Sequence, residues 1–268
     1  KLKIQHAREV IDAERTNDPR NPFIAYLDNY ADLHVILISE NKSEFNIFNE
    51  KVEKRLQVIE EIADTTPYKK FLQAEMRMHW AFAKLKFGNE ISGARDIIRA
   101  YKLLEENKKR FPNFLPNLKS LGLLHVMIGS VPENYNWVLN FLGLNGNIKL
   151  GLQELQTVIQ RDPLFKQESE LIYLLIHAYI LQFSDAHHQM LIELIKRQPD
   201  NLLLHFFGAT VLMKDGKSQD ASQYLNNAPT GKAYIPFPFL QYLRAEILLQ
   251  KGQYHQAEIF YQSFLSKY

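Results

Sequence analysis

The sequence predicts an all-α protein of antiparallel helical hairpins, about fourteen helices in number. Three observations predict it. Apolar residues recur at amphipathic-helix spacing along almost the whole chain, and alternating strand-like runs are scarce. Breakers of the Asn, Asp, Gly, Pro and Ser type arrive every 12 to 22 residues. The loops they make are short, and short loops leave consecutive helices as antiparallel neighbours.

Taken in order, the breakers define the elements. Asn17-Asp18-Pro19 closes one helix and opens the next. Asn41-Lys42-Ser43 and Thr65-Thr66-Pro67 bracket a long helix over 43–64, and Gly88-Asn89 ends a second over 67–87. Lys108-Lys109-Arg110, just before Phe111-Pro112, reads as a helix C-terminus, where cations complement the dipole. Gly129-Ser130 and Asn145-Gly146 lie in an irregular interrupting segment over 113–146. Asp162-Pro163, Pro199-Asp200, Asp215-Gly216 and Gly252 punctuate the remainder, and Pro236 and Pro238 make 228–238 its least regular stretch. No part reads as a flexible linker, so 1–268 is expected to form one domain.

A repeat runs through the later part of the chain. Gly146, Gln182, Gly216 and Gly252 are spaced by 36, 34 and 36 residues. Five residues after each stand Gly151, His187, Ala221 and Ala257; nine after stand Leu155, Leu191, Leu225 and Tyr261; twelve after stand Val158, Leu194, Ala228 and Phe264. A small residue at the first offset lets two helices approach, and a large apolar one at the second fills the next groove. Pro163 and Pro199, seventeen after the first two anchors, end the second helix.

Asp215-Gly216-Lys217-Ser218-Gln219-Asp220-Ala221 and Lys251-Gly252-Gln253-Tyr254-His255-Gln256-Ala257 resemble the middle of a tetratricopeptide repeat. Ala245 takes the close-packing place of the last repeat, whereas His187 makes the second degenerate. The resemblance covers four repeats over 133–268 and is only architectural over the long hairpins of 1–112. A narrower resemblance runs over 122–155, through Gly122, Gly129-Ser130, Pro132, Gly143, Gly146-Asn147, Gly151-Leu152 and Leu155. It is similar to a tetratricopeptide-like family with a mitochondrial outer-membrane member linked to inclusion-body clearance, and to uncharacterised exported bacterial repeat proteins. These resemblances imply a right-handed α-solenoid that acts as a scaffold. Gly143 and Gly146 are expected at positive φ in a tight turn, and Gly151 where helices cross.

Composition narrows the function. With 268 residues, 46% hydrophobic and 23% charged, the chain has ample material for a core. Lys+Arg 32 against Asp+Glu 30 argues against a nucleic-acid partner. The absence of cysteine excludes disulfides, a thiol nucleophile and Cys-based zinc sites. The apolar stretches at 33–38 and 171–176 fall far short of the roughly 20 residues a bilayer needs, so no transmembrane segment is expected. The start at Lys1 suggests that something upstream was removed, and helical patterning into Tyr268 suggests that the natural polypeptide continues. An exported, periplasmic bacterial compartment is favoured over the cytoplasm.

No motif carries catalysis, and no catalytic, cofactor or metal residue is predicted. His187-His188 and His177 lack a metal-ligand pattern, and no HExxH occurs. His79 beside Trp80 is expected to pack or hydrogen-bond within its helical hairpin. The stretch 226–233 resembles a phosphate loop only superficially, with Asn226 for its first glycine, Ala233 for its Ser/Thr and no preceding strand. Glu60-Glu61 and Glu105-Glu106 read as solvated faces beside basic residues.

In a tetratricopeptide-type solenoid the first helix of each hairpin lines a concave face. Counting back from the anchors places Ile172, Ile176, Tyr179 and Ile180 there, then Leu203, Phe206, Thr210 and Met213, then Phe239, Tyr242, Glu246 and Leu249. This lining predicts an apolar groove for a protein or peptide partner, unless another helix covers it. The clamp that grips acidic chaperone tails is not expected, because its positions hold Asn136, Asn140, Tyr173, Leu203 and Phe207, without its lysines and arginine. The alternative is an all-helical enzyme or small-ligand carrier with a cleft near 114–146, for which two converging carboxylates in a deep pocket would speak. Trp137 in the interrupting segment is expected in the core.

Overall fold

The computed structural model describes residues 1–267, so the expected helical run into Tyr268 lies outside the described residues. Among the described residues there are fifteen α-helices, one 3-10 turn and no strand, which is the all-α class the periodicity predicts. The chain divides into two compact units. Unit one holds residues 1–14, 34–41 and the chain from Ser184 onward; unit two holds 15–33 and 42–183. Two helices, α1 (Ile4–Asn17) and α2 (Phe23–Ser39), contribute to both.

Unit two continues through α3 (Lys42–Asn49), α4 (Val52–Glu60), α5 (Tyr68–Lys86) and α6 (Glu90–Arg110). The long helix expected over 43–64 is thus two short ones. The break at Glu50-Lys51 lets Phe45 of α3 and the stripe Val52, Leu56 and Ile59 of α4 each turn inward. Helices α5 and α6 form the expected hairpin. Gly88 stands at φ +77°, and the Asn89 amide donates to the Lys84 carbonyl at 2.8 Å. Phe71, Leu72, Met76 and Trp80 of α5 are fully buried.

Next come α7 (Pro116–Gly129), a 3-10 turn (Glu133–Tyr135), α8 (Asn136–Leu142), α9 (Ile148–Arg161) and α10 (Lys166–Tyr179). Helices α7 and α9 cross with Gly122 and Gly151 facing each other, the role expected of Gly151. Gly143 has the expected positive φ, +71°. Gly146 does not, and its need for glycine is steric instead. A Cβ there would lie 2.2 Å from the Gly129 nitrogen.

Unit one is built from α11 (Asp185–Arg197), α12 (Leu202–Lys214), α13 (Ser218–Asn226), α14 (Phe239–Gln250) and α15 (Tyr254–Leu265). Gly216 and Gly252, at φ +73° and +72°, turn the chain after α12 and α14. Ala221, Ala245 and Ala257 are buried at the small-residue places that the repeat demands. His187 has another use: the Ser184 amide donates to its Nδ1 at 3.0 Å, so the ring caps α11. Residues 227–238 form no helix, as their prolines predict. They are held by burial of Ala228 and Phe237 against Leu2, Ile38 and Leu202. The Ile235 amide donates to the Leu2 carbonyl at 3.0 Å, and Lys3 Nζ lies 2.7 Å from Asp200.

Candidate functional site

The predicted lining residues fall into both units. In unit one, Leu203 and Phe206 are half-buried against Leu2, Ile38, Ala228 and Phe237, with the Phe206 and Phe237 ring centroids 4.6 Å apart. The irregular segment therefore packs onto the side of α12 read as open. Met213 packs on the cluster of Ala209, Leu212, Leu243 and Ile247. Phe239 and Tyr242 each meet Phe264 at 5.4 Å, and Tyr242 stays 37% exposed. The Tyr261 hydroxyl donates to Glu246, and burial, then this carboxylate, pushes the Tyr261 pKa up.

In unit two, Ile176 is only 2% exposed and packs with Val126 and Leu155; Ile172 and Tyr173 lie against the same cluster. This places Ile176 in the core rather than on an open lining, because α10 turns that side toward α7 and α9. Tyr179, three residues on, is 53% exposed.

Unit two also holds polar networks that no motif announced. Lys119 of α7 is fully buried, 2.5 Å from Glu75 of α5 and 2.9 Å from Glu168 of α10. Ser120 and Tyr26 also donate to Glu75. Burial disfavours the charge on Lys119, but Glu168 and Glu75 outweigh it and its pKa is raised. Burial and the neighbouring carboxylates push Tyr26 and Tyr30 well above the usual tyrosine range. His79 is buried, with Nδ1 3.3 Å from Asn29 of α2, a partner outside its own hairpin. His125 Nδ1 lies 2.6 Å from Glu154, whose other oxygen meets Lys108 at 2.6 Å. Each of these groups is spent on another helix, which is how a core accommodates charge. Glu60 and Glu106 likewise pair with Lys69 and Lys70, across helices rather than within one.

The interrupting segment is different. Trp137 is 73% exposed, Phe141 86% and Tyr135 52%, so the expectation that Trp137 is core is overturned. Helix α8 has seven residues, five of them apolar. Its apolar residues are too many for one side, and only one side is partly covered. Val138, Leu139 and Leu142 are half-buried, while Trp137 and Phe141, one turn apart, point outward. Gly143 and the Leu144 amide, bonded to the Leu139 carbonyl at 2.8 Å, close the helix, and buried Leu144 anchors the loop into α9. The sequence carries a signal for this: five apolar residues in a helix of seven, more than one packed side can cover. Between Ser130 and Asn147 the one charged residue is Glu133.

Among the described residues, no cluster of three or more His, Cys, Asp or Glu could hold a metal ion. No described helix is long and apolar enough to cross a membrane. No curated protein matches the chain. Residues 118–234, a little under half of the chain, match the model of the family described as Iml2/Tetratricopeptide repeat protein 39. Over that stretch, which contains the segment 122–155, the protein is similar to a tetratricopeptide-like family of helical repeats, as its glycine pattern implies.

Proposed function

We propose that this protein is a non-catalytic interaction scaffold for a protein partner, with α8 as its contact surface. The observation that carries this reading is the exposure of Trp137 and Phe141 on a helix whose Val138, Leu139 and Leu142 are half-buried. Exposed aromatic clusters mark interaction sites, and aromatic anchors supply much of the binding energy at interfaces. With Glu133 as its sole charge, the segment fits a partner that presents a neutral, apolar cleft. Similarity to a helical-repeat family supports a scaffold over the enzyme alternative. Tyr179, Ile180, Tyr242 and Leu249, the exposed groove positions, are further contact candidates.

The test is site-specific photo-crosslinking in the native host. A crosslinker at position 137 should capture a discrete protein that Phe141→Ser releases. A crosslinker at exposed Ile91 on α6 serves as the control. Identical adducts from positions 91 and 137, or none from 137, would overturn the reading.

A further inference from the structure

A second feature, independent of α8, lies wholly within unit one. Between α13, α14 and α15 there is a pocket of about 170 Å³ with an apolar floor of Leu225, Ile247, Leu248 and Phe260. Among the described residues, two cations line it, Arg244 and Lys251, and no carboxylate does. They are seven residues apart, on α14 and at its C-terminal cap, so they stand two turns apart on one face. That face is about half a turn from Tyr242 and the predicted lining.

Arg244 is in an unusual position for an arginine. It is half-buried, and the hydrogen bond it makes runs from Nη2 to the Leu225 carbonyl at 3.2 Å. A guanidinium carries five N–H donors, so others remain for a ligand. Neither Arg244 nor Lys251 forms an ion pair among the described residues. Burial pushes the Arg244 pKa down. Two other half-buried cations show the contrast: Arg55 meets Asp32 at 2.6 Å and Lys84 meets Asp96 at 2.6 Å.

We propose that this pocket binds a carboxylate carried on a short apolar body. The carboxylate meets Arg244, whose planar fork suits two oxygens, and Lys251 adds charge at the rim. The apolar part lies on Leu225, Ile247, Leu248 and Phe260. The volume suits a group of side-chain size and is well below the roughly 300–1,000 Å³ of pockets for drug-sized ligands. Two sources share this chemistry, a free branched-chain acid and the C-terminal residue of a peptide.

Calorimetric titration of the whole protein tests it, with 4-methylpentanoate as the probe and 4-methylpentanamide and inorganic phosphate as controls. The acid should bind at least about tenfold more tightly than the amide. Lys251→Gln, at an exposed position, should weaken the acid several-fold without shifting the Tm, and Arg244→Gln should weaken it more. Because Arg244 also holds the Leu225 carbonyl, Arg244→Lys checks that a retained charge restores part of the binding. A tripeptide ending in leucine, with a free or an amidated terminus, separates the sources; tighter binding by either carboxylate supports the shared chemistry. Equal affinity for acid and amide, phosphate binding as tight as the acid, or a Lys251→Gln protein that binds unchanged would each overturn the proposal.

Discussion

A Cβ placed on Gly151 would lie 2.5 Å from the Gly122 carbonyl oxygen, and one placed on Gly122 would lie 2.8 Å from that of Gly151. The two backbones touch, and nothing larger than hydrogen fits between them. Gly122→Ala and Gly151→Ala should each cost about 1–3 kcal/mol through overpacking. The double variant should cost less than the sum, since the first methyl already separates the helices. Chemical denaturation of the three variants checks this. An unchanged midpoint for Gly151→Ala would refute the close crossing.

The buried Lys119 is held between Glu75 and Glu168. Lys119→Met would leave two carboxylates facing each other without a cation, and should cost about 3–5 kcal/mol. Glu75→Gln keeps Lys119 with Glu168 and should cost clearly less. Adding Glu75→Gln to Lys119→Met should recover part of the loss. Equal costs for the two single variants would mean that the network does not share its charge in this way.

Hydrogen bonds from Lys1 and Lys3 hold the Asp200 carboxyl down at about 2, below its usual range. For a depressed carboxylate the stabilisation is fully present above the unfolded pKa of about 3.9 and is lost as pH falls through the folded one. The Tm difference between wild type and Asp200→Asn should therefore be constant from pH 7 to about 5 and shrink between about 4 and 2. As these three groups are partly open to water, added salt should reduce it too. A difference that grew toward low pH would contradict the assignment.

Ala257 is buried where α14 and α15 meet. Ala257→Leu should cost roughly 1–3 kcal/mol. Thermal melting that matched wild type would show that the last repeat is packed in another register.

Trp137→Ser with Phe141→Ser gives the opposite expectation. Both side chains are exposed, so stability should stay within about 0.5 kcal/mol of wild type. A core tryptophan would cost about 3–5 kcal/mol on truncation to alanine. A fall of that size in a denaturant titration would return Trp137 to the core.

Much of the architecture was legible because it rests on local chemistry. Gly216 and Gly252 are needed for left-handed turns, and Ala221 and Ala257 for close crossings, so each marks its own place in the sequence. The break at Glu50-Lys51 was not legible, because helical spacing continues across it and only the directions of Phe45 and Leu56 require it. The surfaces were read less well for the same reason. Whether Ile176, Phe206 or Trp137 is covered depends on residues far away in sequence, and helical period alone carries no record of them. The roles of Lys119 and Arg244 were not legible, because a charge within a helix reads as solvated until the neighbouring helices are in place.

The tie between Leu2 and Ile235, with Lys3 on Asp200, has a consequence for how the chain folds. Stacked hairpins ordinarily make contacts of short range in sequence, so they can nucleate anywhere and grow outward. Unit one breaks that rule by joining its first residues to partners near the far end of the sequence. During synthesis at about 5–20 residues per second, Leu2 waits roughly ten seconds or more for its partner to leave the ribosome. The unit should therefore close late and with a slow refolding phase, one that Leu2→Ala changes while the local hairpins form at their usual rate.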